Sequence, residues 1–195
     1  LRDCRADGGD RGGDTFSTYV FDTHDGLALA VKTRRSREAA WPVPTVAFAV
    51  QPEARSTFAG AGSSRPGVAA EFATAGVEVR NTGATSVGPG YLWTLRRVYP
   101  LLGQTLPERQ VSDLLDGVVL MRRETAIGPI ALFGQGDTAP LAIYAAILDP
   151  KITEVILANP PESHADPKTP EFLGILRFGD LPQNLFRRCG GAWQV

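Results

Sequence analysis

The sequence predicts an α/β chain: a three-layer sandwich on a mostly parallel sheet, entered by an N-terminal antiparallel hairpin. After the hairpin, apolar β-type runs alternate with helical patterns as strand–helix–strand–helix–strand–helix–strand, the order of crossover-linked parallel strands. One helical pattern, Thr138–Leu148, is apolar almost all round and so belongs inside the molecule. The 195 residues, 43% of them hydrophobic, suffice for one domain with a sizeable core.

Residues 1–14, rich in Gly, Asp and Arg, read as a flexible leader to a single domain over 15–185. Thr18–Asp22 and Leu27–Thr33 alternate apolar and polar residues about His24-Asp25-Gly26, a hairpin pattern. Arg34–Pro44 is a basic connection, Thr45–Val50 a short buried strand and Gln51–Ser64 a Gly/Ser-rich loop. A helix is expected from Pro66 to Gly76, since Pro suits the first turn and Gly the end. Val77–Arg80 reads as a strand, and a long loop follows through Gly83, Gly88, Gly90 and Gly103.

Leu106–Glu124 is the clearest helix. Thr105 and Glu108 have capping-box spacing. Val111, Leu114, Leu115, Val118 and Val119 recur at i, i+3, i+4, i+7 and i+8. Pro129–Phe133 and Ile152–Ala158 complete the strands, with helix Thr138–Leu148 between them.

Composition narrows function. Twenty Lys+Arg against 21 Asp+Glu give a net charge of -1, so nucleic acid is not an expected partner. Two cysteines, Cys4 and Cys189, and two histidines make neither a disulfide framework nor a multi-His metal site, and no cofactor is expected. The longest apolar run, Pro140–Leu148, is shorter than the roughly 20 residues of a membrane span. No secretory signal is visible, so a soluble, cytoplasmic protein is expected; a secreted one that has lost its signal is the alternative.

Ligands of such sheets bind beyond the carboxyl ends of the strands. That singles out the loops Gln51–Ser64, Arg80–Gly90, Gly134–Thr138 and Asn159–Asp166. In the third, Phe133-Gly-Gln-Gly-Asp-Thr138 runs from strand through a sharp turn into the alanine-lined helix. A nucleophile elbow, Gly-x-Ser-x-Gly, has this form, with Gly136 here in the serine's place. The competing reading is an ordinary strand–helix turn; a dinucleotide site would need a third glycine beyond Gly134 and Gly136.

Further residues carry a family resemblance from about Tyr19 to Leu185. They are Asp25-Gly26, Val50-Gln-Pro-Glu53, Asn81-Thr-Gly-Ala-Thr85, Gly88-Pro-Gly-Tyr-Leu-Trp93 and Leu102-Gly-Gln-Thr105. Later come Gly134-Gln-Gly-Asp137, Asn159-Pro-Pro-Glu-Ser-His164, Pro170-Glu-Phe-Leu-Gly174 and Gly179-Asp-Leu-Pro182. On these the chain resembles the acetyl-xylan-esterase and dienelactone-hydrolase-like branch of the α/β-hydrolase superfamily. The resemblance implies a carboxylic ester hydrolase acting on acetylated carbohydrate, with a small-molecule ester or carbohydrate as partner. It also implies an elbow and oxyanion region at Gly134, Gln135, Gly136, Asp137 and Gln51, the last often His in the family. The family's acid and histidine follow two further strands after Ile152–Ala158. The chain is therefore expected to be an incomplete, truncated or frame-shifted relative, with a non-family tail over 186–195.

Without a serine at 136, the candidate catalytic residues are His164, Ser163, Asp137 and Glu162. His164 could act as a general base, though a solvated loop histidine is the simpler reading. Asp137 could offer its backbone N–H to an oxyanion or cap the helix. Glu162 with Asp137 or Glu53 could form the carboxylate pair of a glycosidase, which needs a spacing of roughly 5–10 Å. Tyr91 and Trp93 could stack on substrate or pack beneath their loop. His24, in a turn expected far from the strand ends, and the basic run Lys32–Arg37 read as structural. A non-catalytic fragment that self-associates through an exposed sheet edge is the third functional class.

Overall fold

The structure is a computed structural model that describes residues 2–39, 42–50, 72–124 and 127–189. Strands β1 (Arg2–Arg11), β2 (Asp14–Asp22), β3 (Ala28–Ser36), β4 (Val43–Ala49), β5 (Ala73–Val77), β6 (Ile127–Gln135) and β7 (Ile152–Ala158) form one sheet. Its order is β1-β2-β3-β5-β4-β6-β7. β1 and β3 each pair antiparallel with β2, β3 runs antiparallel to β5, and β5, β4, β6 and β7 are mutually parallel. The helices are α1 (Pro89–Leu101), α2 (Leu106–Glu124), α3 (Ala139–Leu148) and α4 (Leu181–Cys189).

The expected hairpin forms in the register Asp22↔Ala28, closed by the Thr23–Leu27 turn. The leader expected over 1–14 instead supplies β1, which pairs with β2 through Arg11↔Asp14 across a two-glycine turn. Gly12 and Gly13 take φ of 59° and 85°, the left-handed values that such a turn requires. α2 and β7 span the residues their patterns predicted.

The helix expected over Pro66–Gly76 is corrected where it can be followed, since Ala73–Val77 is β5; residues 66–71 lie outside the described residues. Gly76, read as a helix end, is a strand residue placed against the Phe48 ring: a Cβ there would lie 3.3 Å from Cε2. The strand expected at Val77–Arg80 therefore starts four residues earlier. The long glycine loop is corrected too. Pro89 at the start of α1 sets the backbone for a helix that the flanking glycines hide.

The core lies between the sheet and the face shared by α2 and α3, with Val31, Ala47, Val77, Leu114, Leu132 and Ile143 fully enclosed. On α2, Val111, Leu114 and Val118 face inward with Met121, while Val119 is 43% exposed. Gly117 sits on the inner face, where a Cβ would come within 2.6 Å of Val77 Cγ1. Helix propensity is sacrificed there so that α2 can lie close on β5. α3 is buried along Ala139–Ala146, as an all-apolar helix should be.

The sharpest constraint is at Gly134, where a Cβ would fall 2.6 Å from Ala139 Cα. Strand and helix backbones touch at this point, so the turn between them is tight because no side chain intervenes. Gly134→Ala should destabilise the protein by about 1–3 kcal/mol or more. Gly90→Ala, in the first turn of α1 with nothing within 4 Å of its Cβ, should be neutral or stabilising by up to about 1 kcal/mol. Urea titration of the two variants checks the contrast.

Candidate active site at the carboxyl ends of the parallel strands

Four loops leave the parallel strands at one edge of the sheet, and they enclose a cavity of about 440 Å³. Val50 follows β4, Asn81 and Thr82 follow β5, and Asp137 and Thr138 follow β6. Pro167–Glu171, beyond β7, forms the far wall. Leu92 and Arg96 of α1 and the first turns of α2 close the cavity.

At the turn where an elbow is expected, Gly136 has φ of 52°, a value that a side chain normally resists. A Cβ at 136 would meet nothing within 4 Å, so the position has room for a side chain it lacks. The turn is closed by Thr138, whose hydroxyl donates to the Gln135 carbonyl at 3.0 Å and accepts from the Gln135 N–H at 3.0 Å. The capping role weighed for Asp137 thus belongs to Gln135 and Thr138, because a single 3₁₀ turn over Gly136–Thr138 precedes α3. Asp137 is left exposed on the cavity wall.

Beneath the β5 loop lies a buried ion pair. Arg80 donates from Nε and Nη2 to Asp113 of α2 at 2.8 and 2.7 Å, and its backbone N–H reaches the same carboxylate at 2.8 Å. Asp113 sits on the buried stripe of α2 with its side chain 1% exposed. Gln110 Nε2 donates to the Arg80 carbonyl at 2.9 Å. Asp25 from the hairpin tip accepts from Arg80 at 3.1 Å and from Arg109 at 2.5 Å. Burial opposes the charge on Arg80, but its bonds to Asp113 and Asp25 hold the guanidinium firmly protonated.

This corrects the placement of the His24 turn. The antiparallel register Val31↔Val77 carries the tip of the β2–β3 hairpin to the carboxyl ends of the parallel strands. The capping box of α2 forms as expected, Glu108 N–H to Thr105 Oγ1 at 3.3 Å and Thr105 N–H to Glu108 Oε2 at 2.7 Å. Glu108 Oε1 also accepts from the Leu173 N–H at 2.6 Å, tying the segment after β7 to α2.

The other expected site residues are scattered. His164 Nε2 pairs with Tyr144 Oη at 2.6 Å, and its ring meets Phe172 edge-on at 5.4 Å. Burial pushes this imidazole below its usual range despite the attraction of Asp180. Ser163 donates to Asp180, not to His164, and Asp180 also accepts from the His164 and Leu181 N–H groups, 2.7 Å each. Ser163, His164 and Asp180 are therefore adjacent without forming a relay, and His164 does not line the cavity. Glu162 is exposed and does not line it either. Gln51 and Glu53 lie outside the described residues. Tyr91 and Trp93 are on α1, 72% and 61% exposed, and not packed beneath a loop.

Arg80, Asp113, Asp25, Arg96 and Glu171 were not proposed as site residues from the sequence, although Asp25 and Glu171 lie in the motifs that carry the family resemblance and Arg80 opens one of the four loops. Asp113 alone carried a local signal, a carboxylate between Val111 and Leu114 on the apolar stripe. The others come together only through the topology.

No protein-family model matches this chain, and no curated protein sequence matches it. Solved structures do. A Bacteroides fragilis protein assigned as an acetyl xylan esterase superposes with a TM-score of 0.62 at 13% identity, over 78% of this chain and 46% of its own. The acetyl xylan esterase of Paenibacillus sp. R4 gives 0.60 at 16% identity, over 95% and 62%. The glucuronoyl esterase of Solibacter usitatus gives 0.54 at 15%, over 80% and 51%. The architecture these structures share with the chain is an α/β-hydrolase-like fold. The chain spans about half the length of the structures it matches. Among the described residues no helix is long and apolar enough to cross a membrane.

Two outcomes follow from the buried charges. Asp113→Asn or Arg80→Met should each cost about 3–5 kcal/mol, because the remaining partner loses its counter-charge in the interior; chemical denaturation reads the loss. The pH dependence has two separate windows. His164 is held neutral by the fold, so the unfolded chain binds the extra proton first. Stability should fall as pH drops from about 6.5 towards the lowered folded value, and His164→Gln should remove that step. Partial burial works against the charge on Asp25, but hydrogen bonds from Thr23, Arg80 and Arg109 keep its carboxyl well below the usual range. Its contribution is complete above about 3.9 and is lost as pH falls towards the folded value. Thermal melts from pH 2 to 8 separate the two.

Proposed function

We propose that this protein binds a small carboxylic ester of the acetylated-carbohydrate type in the cavity beside the elbow, and that it forms no acyl-enzyme at position 136. The observation that carries the reading is Gly136: left-handed backbone, open space for a side chain, and neighbours Asp137 and Thr138 on the cavity wall. Covalent ester hydrolysis needs a nucleophile whose proton passes to an adjacent base. Gly136 brings neither, the Thr138 hydroxyl is engaged by Gln135, and the His164 ring is engaged by Tyr144. What remains around the cavity is binding chemistry. Lys168, Arg96 and Gln110 supply donors and Asp137 an acceptor, beside the apolar Leu92 and Leu141. Any residual hydrolysis would run through a water activated by Asp137.

The likeness in fold to acetyl xylan esterases supports the ester class. A glycosidase reading gains no support: Glu162 does not line the cavity, and Glu171, which lines it with Asp137, is bound by Arg96. β7 pairs on one side only among the described residues, which favours self-association as an accompanying property.

Calorimetric titration should show acetylated xylobiose binding and unmodified xylobiose binding more weakly. Leu92→Trp, filling the cavity, should weaken the acetylated ligand about tenfold, a loss of about 1.4 kcal/mol. para-Nitrophenyl acetate should give no acyl burst. A burst in the native chain, or equal affinity for the two sugars, would sink the reading.

A further inference from the structure

A second hollow of about 430 Å³ opens outside the first, and the two share Leu92, Arg96 and Glu171. Its floor is α1, where Pro89, Trp93 and Arg97 complete the lining. The Arg96–Glu171 pair, Nη2 to Oε1 at 2.5 Å, spans from α1 to the segment after β7 and stands between the hollows. Both of its side chains are 54% exposed, so it is a partition that solvent reaches from either side.

Two features of the outer hollow point to a ligand. Trp93 is 61% exposed, although a large aromatic ring is normally mostly buried. Arg97 rests its guanidinium 4.2 Å from the centre of that ring. Arg96 is neutralised by Glu171, but Arg97 has no carboxylate within ion-pair distance among the described residues. The hollow thus offers the indole surface that Arg97 leaves uncovered, beside a guanidinium with no ion-pair partner among the described residues. A pyranose ring stacks its C–H face on an indole, and a guanidinium takes a carboxylate through two parallel hydrogen bonds. A neutral sugar would use the first feature and leave the second unused.

We propose that the outer hollow is a subsite for a carboxylate-bearing sugar, a uronosyl residue attached to the carbohydrate whose ester lies in the inner cavity. Trp93 carries the ring and Arg97 takes the carboxylate. The Arg96–Glu171 pair separates this acidic sugar from the ester. Only the link to the inner cavity rests on the function proposed above; the outer subsite stands on its own residues.

The test is calorimetric titration of the full chain with xylotetraose, with xylotetraose bearing one glucuronic acid, and with free glucuronate. The acid-bearing tetraose should bind about tenfold more tightly than the neutral one at low salt, as expected for one charge-assisted bidentate contact. Arg97→Gln should erase that advantage and leave the neutral sugar unchanged. Trp93→Ala should weaken both, and raised ionic strength should act like the Arg97 change. Unchanged melting temperatures in both exposed-site variants keep the comparison fair. Equal affinity for the acidic and neutral sugars, or a preference that survives Arg97→Gln, would overturn the proposal. The ester reading fails separately, if acetylation brings no gain in affinity while glucuronate still binds.

Discussion

The carboxyl edge of this sheet is organised by one buried carboxylate. Asp113 accepts three N–H groups of Arg80, two from the guanidinium and one from the backbone, with almost no contact with solvent. A charge so placed is tolerable only if it is paired and hydrogen-bonded, which fixes the loop after β5 against α2. Arg80 then reaches Asp25, so the N-terminal hairpin is tied to the same point. Three segments distant in sequence are located by this contact, and the cavity wall at Asn81 and Thr82 is built on it.

Glycines set the second constraint, by the atoms they omit. Gly134 lets β6 touch α3, Gly117 lets α2 approach Val77, and Gly76 leaves room for the Phe48 ring. A Cβ would clash at Gly134 and Gly117 and crowd the ring at Gly76. Gly136 differs: its backbone is left-handed, yet the space for a side chain beside it is open.

The neighbourhood of His164 shows why residue types alone do not make a site. Ser163, His164 and Asp180 have the composition of a hydrolytic relay, but Asp180 is occupied in starting α4 and His164 in holding Tyr144. Their hydrogen bonds join two segments of the chain. The charged groups that line the cavity, Asp137, Arg96, Glu171 and Lys168, come from three segments with no common motif.

Sequence by itself determined the hairpin, α2, α3 and β7, because each has a local period, a cap or a turn that requires no distant partner. It also placed the sharp turn at Gly134–Asp137, since a strand there runs directly into an alanine-lined helix. It misread β5 and α1, where Gly76 and the glycines around Pro89 carry a local signal at odds with their surroundings. Only the tertiary structure decided that Asp25 meets Arg80, that His164 turns to Tyr144, and that Trp93 and Arg97 open a hollow beside Glu171. Those outcomes depend on strand order and antiparallel register. These are set by burying one sheet face against α2 and α3, and no stretch of neighbouring residues records them.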